Sequence, residues 1–231
     1  MLGIGNNLIH AGVLDEEPIL TTAGLQVWYQ FNVGLTASGS NVASWKDSSP
    51  NENNLTQGTA TNQPLKTSPG GGIHLDGTDN FMTLGTALDL TTFTAFAVIE
   101  LDDTSLETLF GNGTDGSDFF RLNGSAWTIR TAGSSFQGNL GTSISTGDKR
   151  IVTLGTDVGA SATTYDLELD GAAENTVSVD NQTFTIGDIG RNSANAQYFD
   201  GKIYEIVIYN TELASAERAV IEKSIQGRNG L

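Results

Sequence analysis

From residue 25 onward, apolar and polar positions alternate along most of the chain. "LQVWYQF" (25–31) puts Leu25, Val27, Tyr29 and Phe31 on one face, the period-two signature of a half-buried strand. "TTYDLELDG" (163–171) alternates Tyr165, Leu167 and Leu169 with Asp166, Glu168 and Asp170. Asp170-Gly171 then predicts a tight turn, and "NTVSV" (175–179) the returning strand. "FTAFAVIEL" (93–101) is apolar on both faces, with Phe93, Ala95, Ala97, Ile99 and Leu101 on one and Phe96 and Val98 on the other. That predicts a central strand covered on both sides. "NVASWKD" (41–47) reads as a short strand ending in a turn. "GIHLDGTDNFMTLG" (72–85) reads as a hairpin about Asp76-Gly77 or Thr78-Asp79. "QTFTIGDIG" (182–190) and "KIYEIVIY" (202–209) read as further strands.

The period changes near the end. Leu213, Val220, Ile221 and Ile225 share one face at helical spacing, with Glu217, Arg218, Glu222 and Lys223 elsewhere. A helix over 214–226 is predicted, stopped by Gly227. Residues 1–24 fit neither period. Their apolar residues, Leu2, Ile4, Leu8, Ile9, Val13 and Leu14, are scattered among glycines and asparagines. They read either as a flexible tail or as an arm that orders against a partner. The chain shows no internal repeat and no linker before a second core, so the expectation is an arm, 1–24, and one domain, 25–231.

Composition narrows the function classes. The 231 residues carry 27 acidic and 11 basic side chains, a formal net charge of −16. Such a surface repels phosphate backbones and anionic membranes, which argues against nucleic-acid binding. There is no cysteine, so disulfides and thiolate metal sites are excluded. No run reaches the ~18 apolar residues that membrane insertion by a helix needs. The start, "MLGIGNNLIHAGVLDEEP", has no basic region and no long apolar run, so no signal peptide is expected and assembly in the cytoplasm is.

Residues 24–66 run from "GLQVWYQF" to "QPLK" and hold Trp28, Val42, Trp45, Asp47, Asn53, Asn54, Thr56, Gln57 and Pro64. That stretch, with "HLDGTDNFMTLG" and "FDGKIYEIVIYNTELASAERAVIEKSI", resembles the concanavalin A-like, laminin-G-type jelly rolls of bacterial and phage proteins. The resemblance implies an all-β, two-sheet antiparallel jelly-roll sandwich, closed by one short C-terminal helix, with an extended N-terminal arm. It implies buried Trp28 and Trp45, and Phe96 and Ile206 are expected in the core with them. It departs from the family where Ala214 stands for the Ser or Thr that caps the helix, and Ser215 or Thr211 is the expected substitute. "LGIGNNLIHAGVL" (2–14) is similar to the Gly-rich starts of tailed-phage virion proteins that carry this sandwich. The implied function is a non-enzymatic structural protein of a virion, displayed on the capsid or attached to the tail through the arm. Its partners would be other virion proteins. The alternative is a glycan-binding adhesin or lectin module that recognises a cell-surface glycan.

Candidate chemistry is sparse. The acids of "ELDGAAE", Glu168, Asp170 and Glu174, straddle the expected turn and cannot form the close pair that retaining glycoside hydrolysis needs. Two histidines, His10 and His74, show no zinc spacing, and no G-x-S-x-G elbow is present. Hence no catalytic residues and no required cofactor are expected. "NGTDGSDFF" offers Asn112, Asp115 and Asp118 as oxygen ligands for calcium. Trp127, Phe136 and Tyr198 are candidate stacking surfaces for sugar. Glu205, set among Ile203, Ile206, Val207 and Ile208, is either catalytic or structural. As a structural carboxylate it needs a partner, with Arg191 and Arg218 the candidates.

Overall fold

The computed structural model describes residues 17–67, 71–114, 117–132, 137–158, 162–180, 183–192 and 197–231. The strands are β1 (Leu25–Tyr29), β2 (Leu35–Ser38), β3 (Asn41–Trp45), β4 (Leu55–Thr56), β5 (Leu65–Lys66), β6 (Ile73–Asp76) and β7 (Met82–Leu90). There follow β8 (Thr94–Leu101), β9 (Leu106–Gly111), β10 (Phe119–Asn123), β11 (Ala126–Arg130), β12 (Gln137–Thr142) and β13 (Lys149–Val158). The last are β14 (Ala162–Leu169), β15 (Ala172–Asp180), β16 (Phe184–Ile189), β17 (Arg191–Asn192), β18 (Gln197–Tyr198) and β19 (Asp200–Tyr209). Helices α1 (Pro18–Thr21) and α2 (Ser215–Asn229) flank them.

All pairings are antiparallel, and they form two limbs. One runs β15–β14–β13–β8–β19, with β6 and β1 sharing the far edge of β19. The other runs β12–β11–β10–β9–β16–β7–β4–β3–β2. β5 pairs with both β3 and β6 and joins them. At the open ends, Thr142 N of β12 donates to Glu174 Oε2 of β15 (3.2 Å), so the sheet nearly closes on itself. The chain is thus nearly all β, and its one long helix is C-terminal.

The core between the limbs holds Trp45, Phe93, Phe110, Phe120, Trp127, Tyr165 and Phe184, all buried. β8 lies between β13 and β19 and is buried on both faces, as its sequence requires. A second cluster covers its outer face: Trp28, Phe96, Val98, Ile151, Val207, Tyr209, Leu213, Ile221 and Ile225. That cluster is why the chain ends on a helix. Trp28, Trp45, Phe96 and Ile206 are all buried. The hairpin after β14 turns through Asp170 and Gly171 at φ 51° and 78°, both positive, as a type I′ turn demands.

Four expectations change. "GIHLDGTDNFMTLG" is no hairpin: β6 pairs with β5 and β19, β7 with β4 and β16, and the segment between them crosses from one limb to the other. Residues 17–24 belong to the fold, not to an arm. Ile19 is fully buried, and Tyr209 Oη donates to its carbonyl (3.0 Å). The six apolar positions from Leu2 to Leu14 lie outside the described residues. Helix α2 passes through Gly227 and stops at Gly230 (φ 68°), one turn late. It also buries Arg218 and Glu222 and leaves Val220 exposed. The helix lies over the polar face of β14, where Arg218 pairs with Asp166 and with Glu168 (3.0 Å) and Glu222 accepts from Thr153 Oγ1 (2.6 Å). At its start neither Ser215 nor Thr211 replaces the lost cap. Glu217 accepts from the Ala214 amide (3.0 Å), and Thr94 Oγ1 accepts from the Leu213 amide (3.0 Å).

The extra turn explains Glu205. Its carboxylate is fully buried and accepts from Trp28 Nε1 (2.8 Å), Arg228 Nη2 (2.8 Å) and Asn229 Nδ2 (2.7 Å). Its partner is therefore neither Arg191, which faces Asp188, nor Arg218. Arg228 also binds Glu17 (2.9 Å), which ties α1 to α2. Removing one partner of a buried pair leaves an uncompensated charge. Arg228→Ala is expected to lower the unfolding free energy by about 3 kcal/mol. Urea denaturation measures it, and a loss below ~0.5 kcal/mol would class the pair with exposed ones.

Candidate functional site

A cleft of about 330 Å³ opens where β6, β9, β18 and the start of β19 meet. Asp76, Asp103, Ser105, Glu107, Gln197, Tyr198 and Asp200 line it. Three chain stretches build it, each for a local reason. Asp76 folds its carboxylate back onto its own turn and accepts from the amides of Thr78 (3.0 Å), Asp79 (3.2 Å) and Asn80 (3.2 Å). Gly77, at φ 68°, makes that turn possible, and a Cβ there would stand 2.8 Å from Asp200 Cβ. Asp103 caps the loop after β8 through Thr104 N (2.7 Å) and Ser105 Oγ (2.6 Å). Tyr198 pairs with Arg191 across β17–β18. Its ring lies 6.5 Å from that of Phe81, over which the Arg191 guanidinium sits at 3.5 Å.

The carboxylates differ in protonation. Glu107 is nearly fully buried, and burial pushes its pKa from 4.5 up to about 7. Amides of Asp200 and Leu106 that donate to it oppose the rise; the charges of Asp103 and Asp200 add to it. Asp200 is raised too, by burial first and then by Asp102 and Asp103, with His74 opposing. For Asp76, burial is the largest single influence and raises the pKa, but the turn amides together outweigh it and hold the group below its usual range. The cleft therefore combines carboxyls held low, Asp76 and Asp103, with two held high, Glu107 and Asp200. Beside it His74 Nε2 lies 2.8 Å from Asp102 Oδ2, and His74, Asp102 and Asp200 bring one ligand atom each within 4.8 Å of the others. Imidazole with two carboxylates is a donor set for a divalent transition metal.

A larger hollow of about 440 Å³, lined by Gly147, Asp148, Lys149, Arg150, Asp170, Gln226 and Leu231, is shallow. Its polar groups are already matched, Arg150 to Asp170 (2.7 Å) and Lys149 to the Asn229 carbonyl (2.8 Å).

Of the residues expected to act, Tyr198 alone among the stacking candidates lines the cleft. Trp127 is fully buried and stacked on Phe120 at 4.9 Å, so it is a core residue and no sugar can reach its face. Phe136 lies outside the described residues. The calcium loop also reads differently. Asn112 Nδ2 donates to Asp118 Oδ2 (2.9 Å), and Asp118 Oδ1 accepts from the Ala132 amide (2.6 Å). Both side chains are buried, and these bonds hold the loop. Asp115 lies outside the described residues. Glu168 and Asp170 face Arg218 and Arg150, while Glu174 reaches across to β12. Sequence reasoning missed Asp76, Asp103, Glu107 and Asp200. Only the Asp76-Gly77 turn signal pointed to any of them.

No protein-family model matches the chain, and no curated protein matches it. Solved structures do. Trypanosoma rangeli sialidase is 15% identical over 90% of this chain, with a TM-score of 0.58. The chain spans about a third of that sialidase, 33% of its length. Domain 4 of AbnA, a GH43 extracellular arabinanase from Geobacillus stearothermophilus, solved in complex with arabinotriose, is 16% identical. It matches over 86% of this chain and 98% of its own, with a TM-score of 0.59. The binding domain of botulinum neurotoxin serotype D/C is 13% identical over 88% of this chain and 52% of its own, with a TM-score of 0.54. At such identities the likeness establishes a shared β-sandwich or barrel fold and carries no activity to this chain.

The cleft's electrostatics predict a pH signature. Glu107 holds its proton more tightly in the folded chain, so its stabilisation is full below pH 4.5 and is lost as pH rises through 7. A change from 4.5 to about 7 corresponds to roughly 3 kcal/mol. Glu107→Gln is expected to gain stability relative to the wild type by about that amount between pH 4.5 and 8. Equilibrium unfolding at several pH values measures it, and parallel curves would show that Glu107 titrates normally.

Proposed function

We propose that the chain is a non-catalytic glycan-binding module on a two-sheet jelly roll, with the cleft at Asp76, Glu107, Tyr198 and Asp200 as its binding surface. The cleft's composition carries this reading. Sugar hydroxyls donate hydrogen bonds, and the cleft supplies acceptors fixed by their own backbone contacts. Fixed acceptors lose little entropy when a ligand arrives. Tyr198 adds an apolar ring with a polar tip, the side-chain type suited to a surface half wet and half dry. The likeness to a domain solved with arabinotriose supports the same class of ligand.

We further propose a virion as the setting, with the module on a tailed-phage capsid or tail and attached through residues 1–16. The likeness of "LGIGNNLIHAGVL" to virion-protein starts supports this reading. Mass spectrometry of purified particles tests it. Absence of the chain from every particle would place the module elsewhere.

Titration of neutral oligosaccharides, arabinotriose first, against the purified chain tests the binding reading. Tyr198→Ala is expected to weaken the best binder at least tenfold, about 1.4 kcal/mol, without changing the melting temperature. Trp127→Ala is expected instead to destabilise the fold by about 3–5 kcal/mol. A chain that binds no glycan on a broad array, or a Tyr198→Ala variant that binds as well as the wild type, would refute the cleft as the site.

A further inference from the structure

The outer face of β9, β10 and β11 carries side chains that core packing does not explain. Thr108, Arg121 and Thr128 are direct cross-strand neighbours. They point away from the core side chains Phe120, Leu122 and Trp127, yet all three are buried. In the next row Gly111, Phe119 and Arg130 are neighbours. Asn192 lies over that row: a Cβ on Gly111 would stand 2.0 Å from the Arg191 carbonyl and 3.4 Å from Asn192 Cα. The Arg121 guanidinium sits 4.2 Å from the Phe119 ring and donates to Gln197 Oε1.

Polar side chains on the outer face of a sheet are ordinarily wet. Here four buried atoms, Thr108 Oγ1, Arg130 Nε, Asn192 Oδ1 and Asn192 Nδ2, have no hydrogen-bond partner among the described residues. Asn192 and Thr108 are fully buried, and Arg130 is half-buried. Buried polar atoms left unpaired oppose folding, so a cluster of them calls for a guest that pairs with them. The donors define its charge. Arg130 is close enough to Arg121 for its charge to lower the Arg121 pKa, after burial, the larger cause. Two crowded guanidiniums exclude a cation and favour an anion, and the guanidinium fork matches a planar carboxylate or a sulfate.

We propose that this recess binds the anionic group, carboxylate or sulfate ester, of an acidic sugar, with Arg130 at its entrance and Asn192 and Thr108 completing the hydrogen bonds. The anionic half stands on the recess alone, and the sugar half rests on the glycan-binding reading above. The two sites adjoin, because Gln197 both lines the acidic cleft and accepts from Arg121. A saccharide with one acidic unit among neutral ones would place its charge at Arg130 and its hydroxyls in the cleft.

The experiment titrates the full chain at low salt with four probes: inorganic sulfate, free glucuronate, an oligogalacturonate, and its neutral methyl ester. Sulfate and glucuronate are expected to bind weakly, and the oligogalacturonate at least tenfold more tightly than its ester. Arg130→Gln is expected to abolish that preference and the binding of both free anions, and to leave the ester's affinity unchanged. Arg130→Lys should restore part of it, and Asn192→Ala should weaken each anion severalfold. Thermal melting confirms that each variant is folded. Failure of both sulfate and glucuronate to bind the wild type overturns the proposal, as does an acid-over-ester preference that survives Arg130→Gln. Binding of free anions with no binding of the ester upholds the recess and overturns the neutral-glycan reading of the cleft.

Discussion

The outer face of β8, β13 and β19 is apolar, and something must cover it. Phe96, Val98, Ile151 and Val207 all point away from the main core. Left wet, each would forfeit the ~1.5–3 kcal/mol that burying such a side chain yields. A helix covers them without adding a sheet edge, because it is apolar on one stripe and polar on the rest. Helix α2 does so with Ile221 and Ile225, joined by Leu213 just ahead of the helix, and Ile19 of α1 fills the margin.

That cover brings charged groups into contact with the sheet, and they become structural. Arg218 sits over Asp166 and Glu168, so the polar face of β14 lies partly under the helix. Arg228 and Asn229 reach Glu205, the one acid in the apolar stretch of β19. The helix must pass Gly227 for this, although Gly inside a helix is worth ~1 kcal/mol less than Ala. Four hydrogen bonds from Arg228 and Asn229 to Glu205 outweigh that loss. Burial of the sheet face thus sets the helix register, and the register decides which arginine meets Glu205.

What could be read from the sequence follows the range of the interactions. β8, the β14–β15 hairpin and the existence of α2 rest on periods and turn residues within a few positions. The partner of Glu205 is 23 positions away in Arg228 and 177 in Trp28, and no local pattern reports it. Gly124 and Ser125 form the turn just before Trp127, so the local sequence suggests an exposed ring. Its strand neighbours place it inward, one position out of phase with Thr128. The cleft is invisible in the sequence because its acids come from three stretches, around residues 76, 103–107 and 200, that meet only after the two limbs fold together. Asp47 was legible as a motif but not as a mechanism. Its carboxylate gathers the amides of Trp28, Ser49 and Asn53 and so pins the loop that follows β3.

The distribution of charge separates structure from site. Arg150, Arg191, Arg218 and Arg228 each face a carboxylate, and each contact is accounted for by packing. Two clusters of like charge lie on either side of Gln197 and Tyr198. In one, Asp76, Asp103, Glu107 and Asp200 crowd together. In the other, Arg121 and Arg130 do. Like charges held together destabilise a folded chain, and opposite ones exchanged between the two regions would relieve both. The chain keeps them apart, with a single short ribbon between. The ligand proposed above, with hydroxyl donors at one end and a negative group at the other, would match that segregation.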